Sequence, residues 1–242
     1  MSDLPSICIL AGGLGTRLGE QVREIPKPLL EVAGEPFLLH QLRLLALHGA
    51  SQVVLCVGYM GDLIEQRIGT ERFGLRITYS FDEPGLSGTL GAIVRARDLL
   101  DERFLVLYGD TYLRMDYAAA VDGWRESGLP AMMTVLRNDG QWDASNVVYA
   151  PGKVFAYDKH VPRPEMLWID YGLGGFDQKA LDLVPAGTSD VAELYSQLAQ
   201  EGLLYGFEAS ERFYEIGSPE ALAETQAFMR TMTAFDVSKN KR

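Results

Sequence analysis

Three short runs of unbroken apolar sequence constrain this chain most: residues 6–10 (SICIL), 52–57 (QVVLCV) and 104–108 (FLVLY). Each is rich in β-branched or aromatic residues and too short for a helix, so each reads as a strand covered on both faces, as in a parallel sheet. Helical patterns lie between them. Residues 36–48 (PFLLHQLRLLALH) begin with a proline suited to a first turn and stop before Gly49. Gly61 to Ile68 and Gly88 to Leu100 supply two more helices. Strands alternating with helices over the first 110 residues predict a doubly wound, mostly parallel α/β sheet, with ligands at the carboxyl ends of its strands. The second half predicts an antiparallel lobe, with strands at 131–136, 145–149, 153–157 and 167–176 and a hairpin turn at Pro151-Gly152. Helices follow at 178–183, 190–200 and 219–230, the last opened by Ser218-Pro219-Glu220. No repeat or linker interrupts residues 1–235, which read as one domain with halves at 1–115 and 116–235; the polar stretch 236–242 is expected to fray.

The charge balance limits the partners. With 33 acidic and 22 basic residues the formal charge is −11, and no cluster of lysine and arginine offers a footprint for nucleic acid. A small anionic ligand is compatible, because a few cations and backbone amides can dominate one cavity. No apolar run is long enough for a membrane span, and the first residues lack the pattern of a signal peptide. Cys8 and Cys56 both lie in apolar strands, where unbridged core thiols are the ordinary state, which points to the cytoplasm.

The first strand breaks into "LAGGLGTRLG", and ten residues after Arg17 comes Lys27 between Pro26 and Pro28. Glycines at the exit of a buried parallel strand allow backbone N–H groups to approach phosphate. Two familiar glycine motifs fail here. A Walker A loop needs Gly-Lys-Ser/Thr at its end, and the dinucleotide fingerprint needs glycine at position 18, which is Leu18. Taken alone, the loop is equally an ordinary turn.

The longer pattern L-A-G-G-x-G-T-R-L, a gap of about nine residues, then P-K-P-L, resembles the signature of the sugar-1-phosphate nucleotidylyltransferases. The resemblance extends through "DEPGLSGTLGAI", "LVLYGDTY", "VFAYDKH", "IDYGLGGF" and "FYEIGSPE", over residues 5 to 230. It implies a Rossmann-like fold with a nucleotide-binding first half and a sugar-phosphate-binding second half. It also implies transfer of a nucleoside monophosphate from a triphosphate, GTP first, to a heptose or hexose 1-phosphate with release of pyrophosphate. Uridylyl or cytidylyl transfer, to another sugar phosphate or to a non-sugar phosphate or phosphonate, stays open beside it. So does a nucleotide-sugar-binding protein without turnover. A homo-oligomer is compatible with either.

Such a reaction needs little acid–base help, since a sugar phosphate with a second pKa of about 6 is already anionic at neutral pH. Positioning and positive charge carry it. By resemblance, Arg17, Lys27 and Asp110 are the catalytic set. Arg17 suits the triphosphate as a permanently charged fork, and Lys27 suits the α-phosphate as a point charge on a stiff segment. Leu10, Ala11, Gly12, Gly13, Gly15, Thr16, Gly88, Thr89 and Gly109 would line the nucleotide site, with Glu83 accepting N–H bonds from a guanine. Asp110 follows a strand and would bind Mg²⁺ with Glu215, although an aspartate there can also cap a helix. Glu215 stands where relatives carry aspartate. On the sugar side, Lys159 would grip the phosphate, and Asp158, Asp170, Gly172 and Asn146 would line the ring. Asp170 and Tyr171 replace an Asn-Ala pair common in relatives. His40 and His48 read as ordinary helix residues, and no spacing suggests zinc.

Overall fold

The computed structural model describes residues 4–13, 15, 18, 24–82, 88–142, 144–184 and 188–239, with side chains up to 232. The first half runs β1 (Ile7–Leu10), β2 (Glu31–Val32), β3 (Glu35–Pro36), α1 (Phe37–Leu47), β4 (Gln52–Val57) and α2 (Gly61–Ile68). It continues through β5 (Glu71–Arg72), β6 (Leu75–Phe81), α3 (Gly88–Arg95), β7 (Arg103–Tyr108) and β8 (Thr111–Tyr112). The second half adds α4 (Tyr117–Ser127), β9 (Ala131–Arg137), β10 (Val147–Ala150), β11 (Lys153–Tyr157) and β12 (Trp168–Asp177). It ends with α5 (Val191–Gln200), β13 (Leu204–Ala209), β14 (Tyr214–Glu215) and α6 (Pro219–Lys239).

Strands β6, β4, β1 and β7 are mutually parallel, with Ile7 opposite Val53 on one side and Leu105 on the other. Antiparallel β12 extends this sheet from β7, so strands of both halves belong to one sheet. Beyond β12 lie β9 and then β13, while the β10–β11 hairpin joins the amino-terminal end of β12.

Both faces of the parallel strands are covered, which is why their sequences are apolar without alternation. Ile7 and Ile9 pack with Leu55 and Leu107 beneath α1, α2 and α4, whose contributions include Leu42, Ile64 and Trp124. Cys8, Val54 and Val106 pack on the opposite face beneath α3 and α5, against Ile93 and Leu198. In that second layer the Cys8 and Cys56 sulfurs lie 3.4 Å apart as free thiols. No helix of the described residues is long and apolar enough to cross a membrane.

Several elements depart from the sequence reading. The helix expected over 88–100 ends at Arg95 and gives way to a 3-10 turn at Arg97–Leu99, and 178–183 is 3-10 rather than α. Strands β6 and β13 and helix α4 fall outside the reading altogether. In β6, buried Leu75 and Ile77 alternate with exposed Arg76, a pattern weakened by its place beside the short edge strand β5. Helix α4 is capped by Asp116, whose carboxylate accepts the Ala119 amide at 3.0 Å, and ends at Gly128 with φ 66°. Helix α6 extends into the stretch expected to fray.

Candidate active site

At the carboxyl ends of β1, β4, β6 and β7 opens a cavity of about 420 Å³. Leu10, Ala11, Gly12, Gly13 and Gly15 form one wall, Gly88, Thr89 and Ala92 a second, and Tyr108, Gly109 and Asp110 a third, with Lys27 and Asp82 beside them. The glycines are there for space. A side chain at Gly109 would place its Cβ 2.9 Å from the Leu10 carbonyl oxygen and 3.1 Å from the Ala11 Cα. One at Gly12 would meet the Gly58 nitrogen at 3.1 Å and the Asp82 carboxylate at 3.2 Å.

Lys27 sits in a 3-10 turn behind Pro26, and its Nζ donates to Asp110 Oδ2 across the cavity. The lysine is buried apart from this edge, so its charge is spent inside the site rather than in solvent. Asp110 Oδ1 accepts the Thr111 hydroxyl at 3.1 Å. No helix follows Asp110: the next element is β8, which excludes the capping role. The turn carrying Asp110 is clamped by Gln41 of α1, whose buried Nε2 donates to the carbonyls of Tyr108 (2.9 Å) and Thr111 (2.7 Å). From the other side, β14 pairs with β8 so that Glu215 lies opposite Thr111, and the Ile216 amide donates to the Asp110 carbonyl. One small pair of strands thus carries Glu215 within it and Asp110 immediately before it.

A second cavity of about 400 Å³ adjoins the first, with Tyr108 lining both. Asn146, Asp170, Gly172 and Glu215 border it, together with Thr111, Trp142, Tyr171, Arg212, Phe213 and Glu224. Asn146 Oδ1 accepts the Asp170 amide and Asp170 Oδ1 accepts the Gly172 amide, each at 3.0 Å, which fixes this corner. Burial pushes the Asp170 carboxyl up to about 6, against the opposing pull of the Gly172 N–H and the Lys159 charge.

The two cavities therefore gather most of the residues singled out in the sequence. Thr16, Arg17 and Glu83 lie outside the described residues. Asp158 and Lys159 line neither cavity. Asp158 is partly exposed and its Oδ1 accepts the amides of His160 and Val161 at 2.9 Å, an Asx turn that holds its own loop. Lys159 is half exposed and pairs with Asp190 at 2.9 Å. Asp190 also caps α5 and accepts the Thr89 hydroxyl at 3.1 Å, so Thr89 borders the first cavity while tying α3 to α5. His40 is an ordinary buried helix residue, its Nε2 2.8 Å from the Val32 carbonyl oxygen.

Gln41, Asp82, Trp142, Arg212 and Glu224 were not legible as site residues. Asp82 follows β6 as Asp110 follows β7, so recognition of that strand would have exposed it; Arg95 holds it at 2.6 Å. Nothing local marks the other four, which meet only through packing.

A parallel sheet wound on both faces, with a glycine-walled cavity at its carboxyl edge, makes this a Rossmann-like α/β protein. The chain belongs to the nucleotidyl transferase family, whose sequence profile matches residues 7–143. It is 32% identical over 223 residues to mannose-1-phosphate guanyltransferase beta-A of Xenopus laevis, covering 88% of this chain and 61% of that protein. The chain thus spans less than two thirds of that relative. It is 28% identical to glucose-1-phosphate cytidylyltransferase of Salmonella typhimurium, over 83% of this chain and 86% of that one. The crystal structure of HddC from Yersinia pseudotuberculosis complexed with GMP-PN superposes with a TM-score of 0.74 at 23% identity, covering 93% of this chain and all of HddC. That likeness is one of fold.

Proposed function

We propose that this chain transfers a nucleoside monophosphate, GMP foremost, from its triphosphate to a sugar 1-phosphate and releases pyrophosphate. The observation that carries the reading is the junction: two cavities share Tyr108, with the Lys27–Asp110 pair on one side and Glu215 on the other. The first cavity would take the triphosphate along the backbone of residues 10–13 and 15, and the second would take the sugar. An oxygen of the sugar phosphate attacks the α-phosphorus as the bond to pyrophosphate breaks. Lys27 places its charge where negative charge builds on the transferring group. Gln41 keeps the Asp110 turn from shifting.

Asp110 and Glu215 fit a divalent cation such as Mg²⁺. Both offer hard carboxylate oxygens, Glu215 from β14 and Asp110 from the residue just before β8. One or two carboxylates, with phosphate and water completing the shell, is the usual magnesium arrangement. When bound, the ion draws charge from the phosphate oxygens and the leaving pyrophosphate. Arg17, Glu83, Asp158 and Lys159 keep the roles proposed from the sequence, Lys159 reaching substrate only by leaving Asp190. Two unbridged cysteines suit a reducing compartment, the cytoplasm.

The Salmonella relative favours a second reading, cytidylyl transfer to glucose 1-phosphate. Pyrophosphate release measured over a grid of four nucleoside triphosphates and several sugar 1-phosphates, with and without Mg²⁺, decides between them. The expected result is a magnesium-dependent nucleotide sugar, strongest with GTP and mannose or heptose 1-phosphate. Binding without product anywhere in the grid would leave a sensor instead of an enzyme.

A further inference from the structure

One wall of the second cavity is built from parts that no nucleotide needs. Arg212, in the loop between β13 and β14, is stacked between two rings, with its guanidinium carbon 4.1 Å from the Trp142 centroid and 4.5 Å from that of Tyr214. Glu224 of α6 receives it as a fork, at 2.6 Å and 2.9 Å, and Nε donates to the Phe213 carbonyl. The side chain is thus fixed in position and its charge is already answered. Its pair with Glu224 holds that carboxyl below its ordinary range, so the glutamate stays ionised.

Arg212 is the one cation among the described residues lining this cavity, against Asp170, Glu215 and Glu224. If Glu215 serves the reaction centre, Asp170 and Glu224 still outnumber Arg212. A sugar ring held here would meet acceptor oxygens with two remaining guanidinium N–H groups between them, and hydroxyls satisfy both kinds of partner. A second anion on the ring would meet the like charge of Asp170 and Glu224, beside a cation already paired.

We propose that the Arg212–Glu224 pair sets acceptor choice: the site takes a sugar 1-phosphate whose ring carries hydroxyls only, and turns away a ring bearing a carboxylate or a second phosphate. This rests on the reading of the second cavity as the acceptor site. Glu224 is then the specificity-determining residue, because it cancels the charge that would otherwise welcome an acidic sugar.

Glucose 1-phosphate and glucuronic acid 1-phosphate differ only at C6, as alcohol and carboxylate, and test the proposal by calorimetric titration of the full chain. Wild-type protein should favour the uncharged ring by about tenfold, the effect of one charge several ångströms away in a solvated cavity. Glu224→Gln should narrow that ratio by about tenfold, and Arg212→Ala should widen it, so the two variants move in opposite directions. If the ratio stays the same in all three proteins, or the variants move together, the proposal is overturned while the acceptor site stands. If wild-type protein binds neither sugar phosphate, with the triphosphate site filled or empty, the acceptor site itself is wrong and the proposal goes with it.

Discussion

Replacing Asp170 by asparagine should flatten the pH dependence of this protein's stability. The carboxyl stands at a corner of the second cavity among the phenols of Tyr108, Tyr157 and Tyr195, with Lys159 and Asp190 nearby. Burial raises it from the ordinary 3.8 to about 6. The folded protein therefore holds this proton more tightly than the unfolded chain does. Stability from this group is fully present below about pH 4 and is lost as pH rises through about 6. The gap between those values corresponds to about 3 kcal/mol in all, an upper figure because the cavity admits solvent. About 1 kcal/mol of it is lost between about pH 5 and about pH 7.5. Asparagine retains an oxygen for the Gly172 amide and has no proton to lose. Urea unfolding of both proteins across that window should show the variant gaining on wild type steadily as pH rises. A stability difference that does not change with pH, or that grows toward acid, would refute the claim that burial governs this carboxyl.

Three further substitutions probe the junction. Lys27→Met keeps most of the apolar stem and removes the charge, and should lower turnover by about a hundredfold or more with a normal circular dichroism spectrum; wild-type rates would remove Lys27 from the chemistry. Gly109→Ala forces a methyl against the Leu10 carbonyl and should cost about 1–3 kcal/mol in urea unfolding, with β1 and β7 pushed apart. Gln41→Leu leaves the carbonyls of Tyr108 and Thr111 without their donor and should cost about 1–3 kcal/mol. If Gln41 positions Asp110, the same variant should also raise the magnesium concentration needed for half-maximal rate, which a purely structural loss would leave alone.

The amino-acid sequence by itself determined the parallel core and the first cavity's walls. Buried strands such as SICIL and FLVLY declare themselves because both their faces must be apolar; the glycines at 12 and 109 were read through the longer family pattern, and packing shows that the neighbouring atoms leave no room there for a Cβ. Lys27 was legible only as part of the longer family pattern that joins P-K-P-L to the glycine loop. Strand patterns are local demands, written within a few residues of where they act. Strand β6 escaped because its position near the sheet edge lets polar residues interrupt the apolar pattern.

Tertiary structure alone decided which side chains meet. Asp158, proposed as a sugar ligand, lines neither cavity in this structure, where its carboxylate accepts the two amides that follow it. Trp142, Arg212 and Glu224 come from a loop, a strand connection and a helix, and no periodicity relates them; their contact exists because the antiparallel lobe folds α6 back beside β14. Hydrophobic patterning specifies burial one element at a time, whereas charge pairing across an assembled cavity depends on distances that only packing creates.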